Sequence, residues 1–135
     1  MACLLGTILG VEREIRQKAA GVRTNALIAL GAALFTIVGV EMSKGIGDPS
    51  RVASTIVTGI GFLGAGAILR TGTNIRGLTT AATIWVNAAI GMAAGAGAYA
   101  LAVSATTISV VVLWVVGTVE RRIEGKVAKD RPTGL

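Results

Sequence analysis

Charged residues occur in four clusters along the chain, and long runs without any charge separate them. The uncharged runs are residues 24–40, 52–69 and 77–119. A transmembrane helix needs roughly 20 mostly apolar residues, with a range of about 17 to 25. Each of the first two runs therefore predicts one membrane span, and the third is long enough for two. A turn is expected inside the third run at residues 95–99, where two glycines precede a tyrosine typical of the membrane interface.

Residues 1–11 are also apolar, but about 16 Å of helix cannot cross a hydrocarbon core about 30 Å thick. We expect them to be the inner half of a first span that begins upstream. The pattern thus predicts an all-α polytopic transmembrane bundle of five helices, with four full spans plus a short or truncated first helix. Residues 1–119 would form the transmembrane domain, and residues 120–135 a basic cytoplasmic tail.

Composition supports a membrane protein. Hydrophobic residues make up 53% of the chain and charged residues 15%, and the mean hydropathy is +0.73. About a quarter of the residues in a soluble domain are charged, because its surface must face water. A chain of 135 residues could not bury four apolar helices inside itself. The lipid bilayer is therefore the expected partner.

The net charge of +6 is compatible with nucleic-acid binding, but its distribution argues against it. The basic residues flank the apolar runs and do not alternate with aromatic residues. The positive-inside rule explains them when residues 12–23, residues 70–76 and the tail are cytoplasmic. Only Lys44 and Arg51 then lie outside. The N-terminus is predicted outside and the C-terminus in the cytoplasm, with no nucleic-acid partner.

Residues for catalysis or for binding a cofactor are scarce. Cys3 is the single cysteine and the chain has no histidine, so zinc and haem have no obvious ligand set. No nucleophile–base pair is recognisable, and residues 59–66 lack the Lys and Ser/Thr of a phosphate-binding loop. The sequence predicts no enzyme activity, no metal site and no cofactor.

Glycine occurs 19 times, and in lipid small residues let helices approach closely. Two pairs have four-residue spacing, Gly6 with Gly10 and Gly91 with Gly95. Four glycines share one run: Gly59, Gly61, Gly64 and Gly66. We expect helix packing or partner contact at these positions. The alternative is that residues 59–66 loosen the helix or expose carbonyl groups to an ion, as in transporters.

Polar and small residues form a stripe in the run that starts at residue 77. Thr80, Thr83, Asn87 and Gly91 recur at helical spacing. The stripe should face neighbouring helices, with Asn87 hydrogen-bonded across the interface. Substrate contact is the alternative for Asn87.

Two charged segments, residues 12–24 and 70–80, are more patterned than topology requires. If the first continues the first helix, Glu12 pairs with Arg16 and Glu14 with Lys18, and Gly21 ends the helix. In the second segment, Gly72 and Asn74 indicate a turn.

Both segments are predicted on the cytoplasmic face, where Arg76 and the amides of a helix N-terminus would bind an anion. The anion would be Glu12, a lipid phosphate or an acidic partner. The cluster is either an internal network that holds the helix ends together or a recognition surface. Its candidate residues are Glu12, Arg13, Arg16, Arg23, Asn74, Arg76, Thr79 and Thr80. On the outer face, only Glu41 and Asp48 offer carboxylates to a cation such as magnesium.

Several sequence blocks resemble the MgtC/SapB family of bacterial inner-membrane proteins. They are residues 10–14 (GVERE), 20–27 (AGVRTNAL), 30–35 (LGAALF), 48–53 (DPSRVA), 59–66 (GIGFLGAG) and 74–82 (NIRGLTTAA), with Trp85. The resemblance covers the family's membrane domain, without the soluble C-terminal domain of the virulence members. Those members tend to have asparagine where Thr79 stands.

The resemblance implies a self-associating five-helix domain with a role in growth under magnesium limitation and, in pathogens, in survival inside macrophages. It also implies regulation of another membrane protein, of which the proton-translocating ATP synthase is one example. Two hypotheses follow. The first is a non-enzymatic regulator that binds another membrane protein, and the second is a component of a magnesium or other cation transporter or channel.

Overall fold

The computed structural model describes residues 1–43 and 48–129. Lys44 and residues 130–135 of the predicted tail lie outside the described residues. The described part is a bundle of helices, as predicted, and it also contains one short β-hairpin that the sequence did not predict. The elements are α1 (Ala2–Ile15), α2 (Val22–Met42), α3 (Pro49–Gly66), β1 (Leu69–Thr71), β2 (Asn74–Arg76), α4 (Leu78–Gly95) and α5 (Tyr99–Lys129).

Three of the described helices are long and apolar enough to cross a membrane. They are α2, α4 and the part Tyr99–Glu120 of α5, with mean hydropathies of 1.8, 1.2 and 2.1. The prediction of four full spans is not confirmed. α3 has 18 residues, but Ser50, Arg51 and Ser54 in its first half lower its hydropathy. α1 has only 14 residues.

The bundle is organised around α2, against which α1, α3 and α4 pack. The main core cluster combines small and branched side chains from four helices, among them Leu9, Ala29, Ile90 and Ala102. A second cluster of Ala32, Ile56 and Ala88 joins α3 to α2 and α4. Many large apolar side chains point outward instead, such as Phe62, which is 81% exposed. So large an apolar exterior is expected where lipid, not water, surrounds the helices.

Glycines of α1 and α4 allow these two helices to pack directly against the backbone of α2. A Cβ at Gly95 would lie 2.5 Å from the carbonyl oxygen of Ala33, and a Cβ at Gly91 would overlap the carbonyl oxygen of Ala29. A Cβ at Gly6 would likewise lie 2.5 Å from the carbonyl oxygen of Asn25. Contacts this short exclude any side chain, so these glycines set the spacing of α1 and α4 from α2.

α1 ends earlier than the sequence suggested. Gln17 adopts a left-handed conformation with φ +52°. The amide of Lys18 donates to the carbonyl of Arg13 at 2.9 Å, and that of Gln17 to Glu14 at 3.0 Å. This pair of hydrogen bonds is the usual way in which a left-handed residue ends a helix. The prediction that Gly21 ends the helix is therefore wrong.

Gly21 instead precedes the first residue of α2. Because Lys18 lies beyond the end of α1, the predicted pair of Glu14 with Lys18 is absent from the ion pairs of the described residues. Glu14 Oε2 accepts a hydrogen bond from the amide of Val22 at 3.2 Å, so this carboxylate stabilises the start of α2.

The predicted turns are confirmed. α4 ends at Gly95 and α5 begins at Tyr99, with Gly97 between them at φ +78°. The antiparallel β-hairpin pairs Thr71 with Asn74 across a turn in which Gly72 has φ +62°. The hairpin joins α3 to α4 and is exposed along both strands.

Candidate functional site

A cavity of about 290 Å³ lies at one end of the bundle. We call it the α1–α4–α5 cavity, because the end of α1, the start of α4 and the second half of α5 surround it. Its polar lining consists of Glu12, Arg13, Arg16, Lys18, Thr79, Thr80 and Glu120. On the α5 side, Val112, Leu113 and Val116 form an apolar wall. Of the eight predicted recognition residues, five therefore come together here.

A buried carboxylate and two guanidinium groups form the floor of the cavity. Glu12 is 5% exposed and Arg13 is 3% exposed. Arg16 Nε lies 2.9 Å from Glu12 Oε1, which is the ion pair predicted from the i,i+4 spacing. Arg13 Nη1 lies 3.5 Å from Glu12 Oε2. Glu12 is thus held between two arginines of its own helix end.

Some of the hydrogen-bonding capacity of this cluster is unused. Neither carboxylate oxygen of Glu12 accepts a hydrogen bond of regular geometry, and Arg13 Nε has no acceptor among the described residues. Buried polar groups are nearly always hydrogen-bonded. The floor of the cavity therefore offers one N–H donor without an acceptor, and two carboxylate oxygens that are paired only with the guanidinium groups of Arg13 and Arg16.

Arg16 also connects α1 to α5. Its Nη2 donates to the carbonyl oxygen of Trp114 at 3.2 Å and lies 3.4 Å from Thr118 Oγ1. The guanidinium lies 5.7 Å from the centroid of the Trp114 ring, within the range of a cation–π contact. One side chain thus fixes the cavity floor against α5.

The start of α4 completes the polar side of the cavity. Gly77 precedes the helix at φ +90° and provides no side chain to cap it. The first amides of a helix have no partner within the helix and carry partial positive charge. With three cationic side chains and two carboxylates in the lining, the cavity is weakly positive.

A family model described as the MgtC family matches residues 1–122. The chain belongs to the MgtC family. It is 52% identical over 107 residues to Protein MgtC of Salmonella typhimurium, in an alignment that covers 79% of this chain and 46% of that protein. It is 50% identical over 111 residues to Protein MgtC of Brucella abortus, covering 82% and 46% respectively. The chain spans about half the length of these relatives. No solved structure matches it significantly.

Three of the predicted recognition residues of this MgtC family member lie away from the cavity. Asn74 and Arg76 are exposed on β2. Arg23 is exposed and lines a different, mostly apolar cavity beside Leu27. Arg76 is not the partner of Glu12, because Arg13 and Arg16 of α1 already occupy that position. The expected pairing of Arg76 with Glu12 is therefore wrong.

Asn87 lies in the core and not at the cavity. It is fully buried, and its Nδ2 contacts the carbonyl oxygen of Asn25 at 2.6 Å and Asn25 Oδ1 at 3.2 Å. Asn25 Nδ2 in turn donates to the carbonyl oxygen of Gly21 at 3.0 Å. Thr80 and Thr83 of the same stripe are also buried.

The four glycines of α3 differ in their surroundings. Gly64 is in ordinary contact, since a Cβ there would lie 3.6 Å from the carbonyl oxygen of Ala81. Gly59, Gly61 and Gly66 have no such neighbour within 4 Å. α3 runs through all four glycines without interruption.

Glu41 and Asp48, which the charge pattern predicts on the outer face, do not form a joint site with a third ligand among the residues that the structure covers. Asp48 is the N-cap of α3, and its two oxygens accept hydrogen bonds from the amide and the hydroxyl of Ser50 at 2.9 and 2.7 Å. These hydrogen bonds lower the pKa of the Asp48 carboxyl below its usual value. Glu41 is exposed in the last turn of α2.

Three residues of these sites are not among the site residues predicted from the sequence. Lys18 and Glu120 line the cavity, and Asn25 holds Asn87. Glu120 is the first charge after the longest uncharged run, and Asn25 is the only side-chain amide in residues 24–40. Both features are visible in the sequence, but neither predicts which residues Glu120 and Asn25 contact.

Proposed function

We propose that this protein is a non-enzymatic component of the bacterial inner membrane that binds another membrane protein and regulates it. One observation carries the proposal. The exposed positions Thr58, Gly59, Gly61, Phe62 and Gly66 form a surface of small residues around one phenylalanine, which we call the open α3 face. In lipid, surfaces of this kind bind helices through close van der Waals contact.

Two other glycines of the bundle show how a helix packs against a surface of small residues. Gly91 and Gly95 are already filled by the backbone of α2, whereas Gly59, Gly61 and Gly66 have no neighbour within 4 Å. Phe62 beside them is 81% exposed. A helix of a second copy or of another protein would bury these positions as α2 buries Gly95. Self-association and binding of a different protein use the same surface.

The proposed orientation places the N-terminus outside and the C-terminus in the cytoplasm. The charge distribution supports it. The geometry is compatible with it, because Arg16, Lys18 and Glu120 line one cavity and so lie at the same end of the bundle. The cavity and the hairpin would then face the cytoplasm, and the open α3 face would lie within the bilayer.

The regulated partner is proposed from the MgtC/SapB resemblance. It would be a membrane protein of energy or ion metabolism, such as the ATP synthase, in cells that grow under magnesium limitation. The relatives carry only the name Protein MgtC. The proposed function is therefore supported by the open α3 face and by the MgtC/SapB resemblance.

A photo-crosslinking phenylalanine analogue at Phe62 tests the proposal in native membranes. Phe35 of α2, which is 65% exposed, is the matched control position. We expect one membrane protein other than this chain to be crosslinked from Phe62 and not from Phe35. Recovery of self-crosslinks alone would contradict regulation of another protein.

A second experiment tests whether binding at the open α3 face is required for growth at low magnesium. Gly61→Leu fills a position with free space around it, and Gly31→Leu does the same on α2. We expect Gly61→Leu to abolish the crosslink at Phe62 and growth at low magnesium, while Gly31→Leu retains both. Magnesium flux into proteoliposomes that contain only this protein would favour the transporter alternative and overturn the regulator.

A further inference from the structure

The α1–α4–α5 cavity combines features of a lipid-binding site. Its floor is charged and buried, with Glu12 and Arg13 each less than a tenth exposed. Its α5 wall is apolar and open to the exterior, because Val112 and Val116 are 51% and 48% exposed. Trp114 lies between these two valines in the chain, and tryptophan is typical of the head-group level. A molecule with a polar head and an apolar chain matches both surfaces.

The unused hydrogen-bonding groups define the head. Arg13 Nε has no acceptor, and the oxygens of Glu12, although 2.9 and 3.5 Å from Arg16 Nε and Arg13 Nη1, accept no hydrogen bond of regular geometry. Arg16, Lys18 and the uncapped start of α4 add positive charge around the space that the acceptor would occupy. A phosphate fits this half of the cavity, because arginine and helix N-termini both favour it.

The two carboxylates of the cavity indicate a second, positively charged group in the head of the ligand. Glu12 on the floor and Glu120 at the mouth line the same cavity. An anion alone would bring no further N–H donor to the Glu12 oxygens and would be repelled by both carboxylates. A primary ammonium group supplies three N–H donors and a positive charge to them. The volume of about 290 Å³ is several times the roughly 30 Å³ share of one water.

We propose that the α1–α4–α5 cavity binds the head group of a phospholipid that carries both a phosphate and a primary ammonium group. The phosphate contacts Arg13, Arg16 and the start of α4, and the ammonium contacts Glu12 and Glu120. The acyl chains lie along Val112 and Val116 of α5. This binding does not depend on the proposed regulation of another protein.

Lipid titration of the purified full chain, followed by native mass spectrometry, tests the proposal. Dioleoyl phosphatidylethanolamine and dioleoyl phosphatidylcholine have the same chains, phosphate and net charge, but methyl groups replace the N–H donors in the second lipid. We expect the ethanolamine lipid to bind about tenfold more tightly, as for one charge-assisted hydrogen bond. Equal binding of the two lipids would overturn the proposal.

Two further ligands separate lipid from its soluble head and from simple charge attraction. Phosphoethanolamine lacks the acyl chains, so it should bind much more weakly than the lipid. Equal affinity of the two would overturn the assignment to a lipid. Dioleoyl phosphatidylglycerol carries a net negative charge without an ammonium group. Tighter binding of this lipid than of the ethanolamine lipid would overturn the role of Glu12 and Glu120.

Variants at the exposed mouth of the cavity avoid the folding problem of changing Glu12. Glu120→Gln should reduce the preference for ethanolamine over choline by about threefold to tenfold, with choline binding unchanged. Lys18→Gln should weaken both lipids by similar factors, because both carry the phosphate. Arg70→Gln on the exposed hairpin is the control and should change neither. An unchanged preference in Glu120→Gln would contradict the placement of the ammonium.

Discussion

The side-chain amide of Asn87 in α4 donates a hydrogen bond to the backbone carbonyl oxygen of Asn25 in α2 at 2.6 Å. Both residues are 0% exposed. α1 reaches the same point, because a Cβ at Gly6 would lie 2.5 Å from that oxygen. Three helices therefore meet at one carbonyl group in the core. A polar contact in an apolar bundle fixes which faces of the helices pair.

Replacement of Asn87 should destabilise the bundle. Asn87→Ala removes the amide and is expected to lower the free energy of unfolding by about 1–2 kcal/mol, the upper part of the range for polar contacts between membrane helices. A double-mutant cycle with Asn25→Ala, measured by unfolding in mixed micelles, should show coupling through the 3.2 Å contact of Asn87 Nδ2 with Asn25 Oδ1, because the backbone carbonyl remains in Asn25→Ala. Thr58→Ala, on an exposed hydroxyl bonded within α3, is the control. Equal losses in Asn87→Ala and Thr58→Ala would contradict the contact.

The glycines should divide into two groups when replaced by alanine. Gly95→Ala places a Cβ 2.5 Å from the Ala33 carbonyl oxygen and 2.9 Å from Ala33 Cα. We expect a loss of about 1–3 kcal/mol in unfolding free energy, as for other overpacked sites. Gly61→Ala meets no atom within 4 Å and should be neutral or stabilising by up to about 1 kcal/mol. Similar effects at both positions would show that α4 does not pack on α2 as described.

The turn between α1 and α2 contains two residues that glycine would suit better. Gln17 has φ +52° and Ala20 has φ +59°. Because the left-handed conformation is unfavourable by roughly 1–2 kcal/mol for residues with a Cβ, Gln17→Gly should raise the unfolding free energy by about 1 kcal/mol. Ala19→Gly, at a neighbouring position outside the positive-φ set, is the control and should not stabilise. A loss of stability in Gln17→Gly would mean that α1 continues past Ile15.

Arginine should be required at position 16. Lysine lacks the planar group that places Nε 2.9 Å from Glu12 Oε1 and Nη2 3.2 Å from the Trp114 carbonyl oxygen. In a Trp85→Phe background, Arg16→Lys should shift the emission of Trp114 and lower the unfolding temperature. Arg23→Lys, at an exposed position of α2, should change neither. An unchanged Trp114 spectrum would contradict the contact between Arg16 and the indole ring.

Acid should weaken the start of α3. The hydrogen bonds from Ser50 lower the pKa of Asp48 below its usual value of about 3.9, so its contribution to stability is complete above that pH and is lost as the pH falls through the lowered pKa. Asp48→Asn keeps a capping side chain but cannot titrate. Unfolding measured between pH 5 and pH 2 should therefore depend less on pH in Asp48→Asn than in the unsubstituted protein. Identical pH profiles would contradict this role of the carboxylate.

The sequence predicts much of the fold because the apolar runs and the turn glycines are local signals. The spans α2 and α4, the turn at Gly97 and the Glu12–Arg16 pair all follow from spacing within one helix or turn. The end of α1 does not, because a glutamine in the left-handed conformation has no sequence signature. Burial depends on which helices pack together and not on the neighbouring residues in the chain. Gly61 and Gly95 therefore look alike in the sequence, although of the two only Gly95 contacts another helix.

The cavity was predicted only in part for the same reason. Glu12, Arg16 and Thr79 stand out as polar residues at the ends of apolar runs. Glu120 lies more than a hundred residues after Glu12 in the chain, and no spacing rule connects them. Their proximity results from the packing of α5 beside α1, which the composition of α5 does not reveal.

The short connection between α4 and α5 bears on how the protein is made. Only residues 96–98 separate the two helices, and Gly97 turns the chain back at φ +78°. So short a link cannot keep one helix in water while the other is already in lipid. We therefore expect α4 and α5 to enter the membrane together as one helical hairpin, before either helix packs against α2.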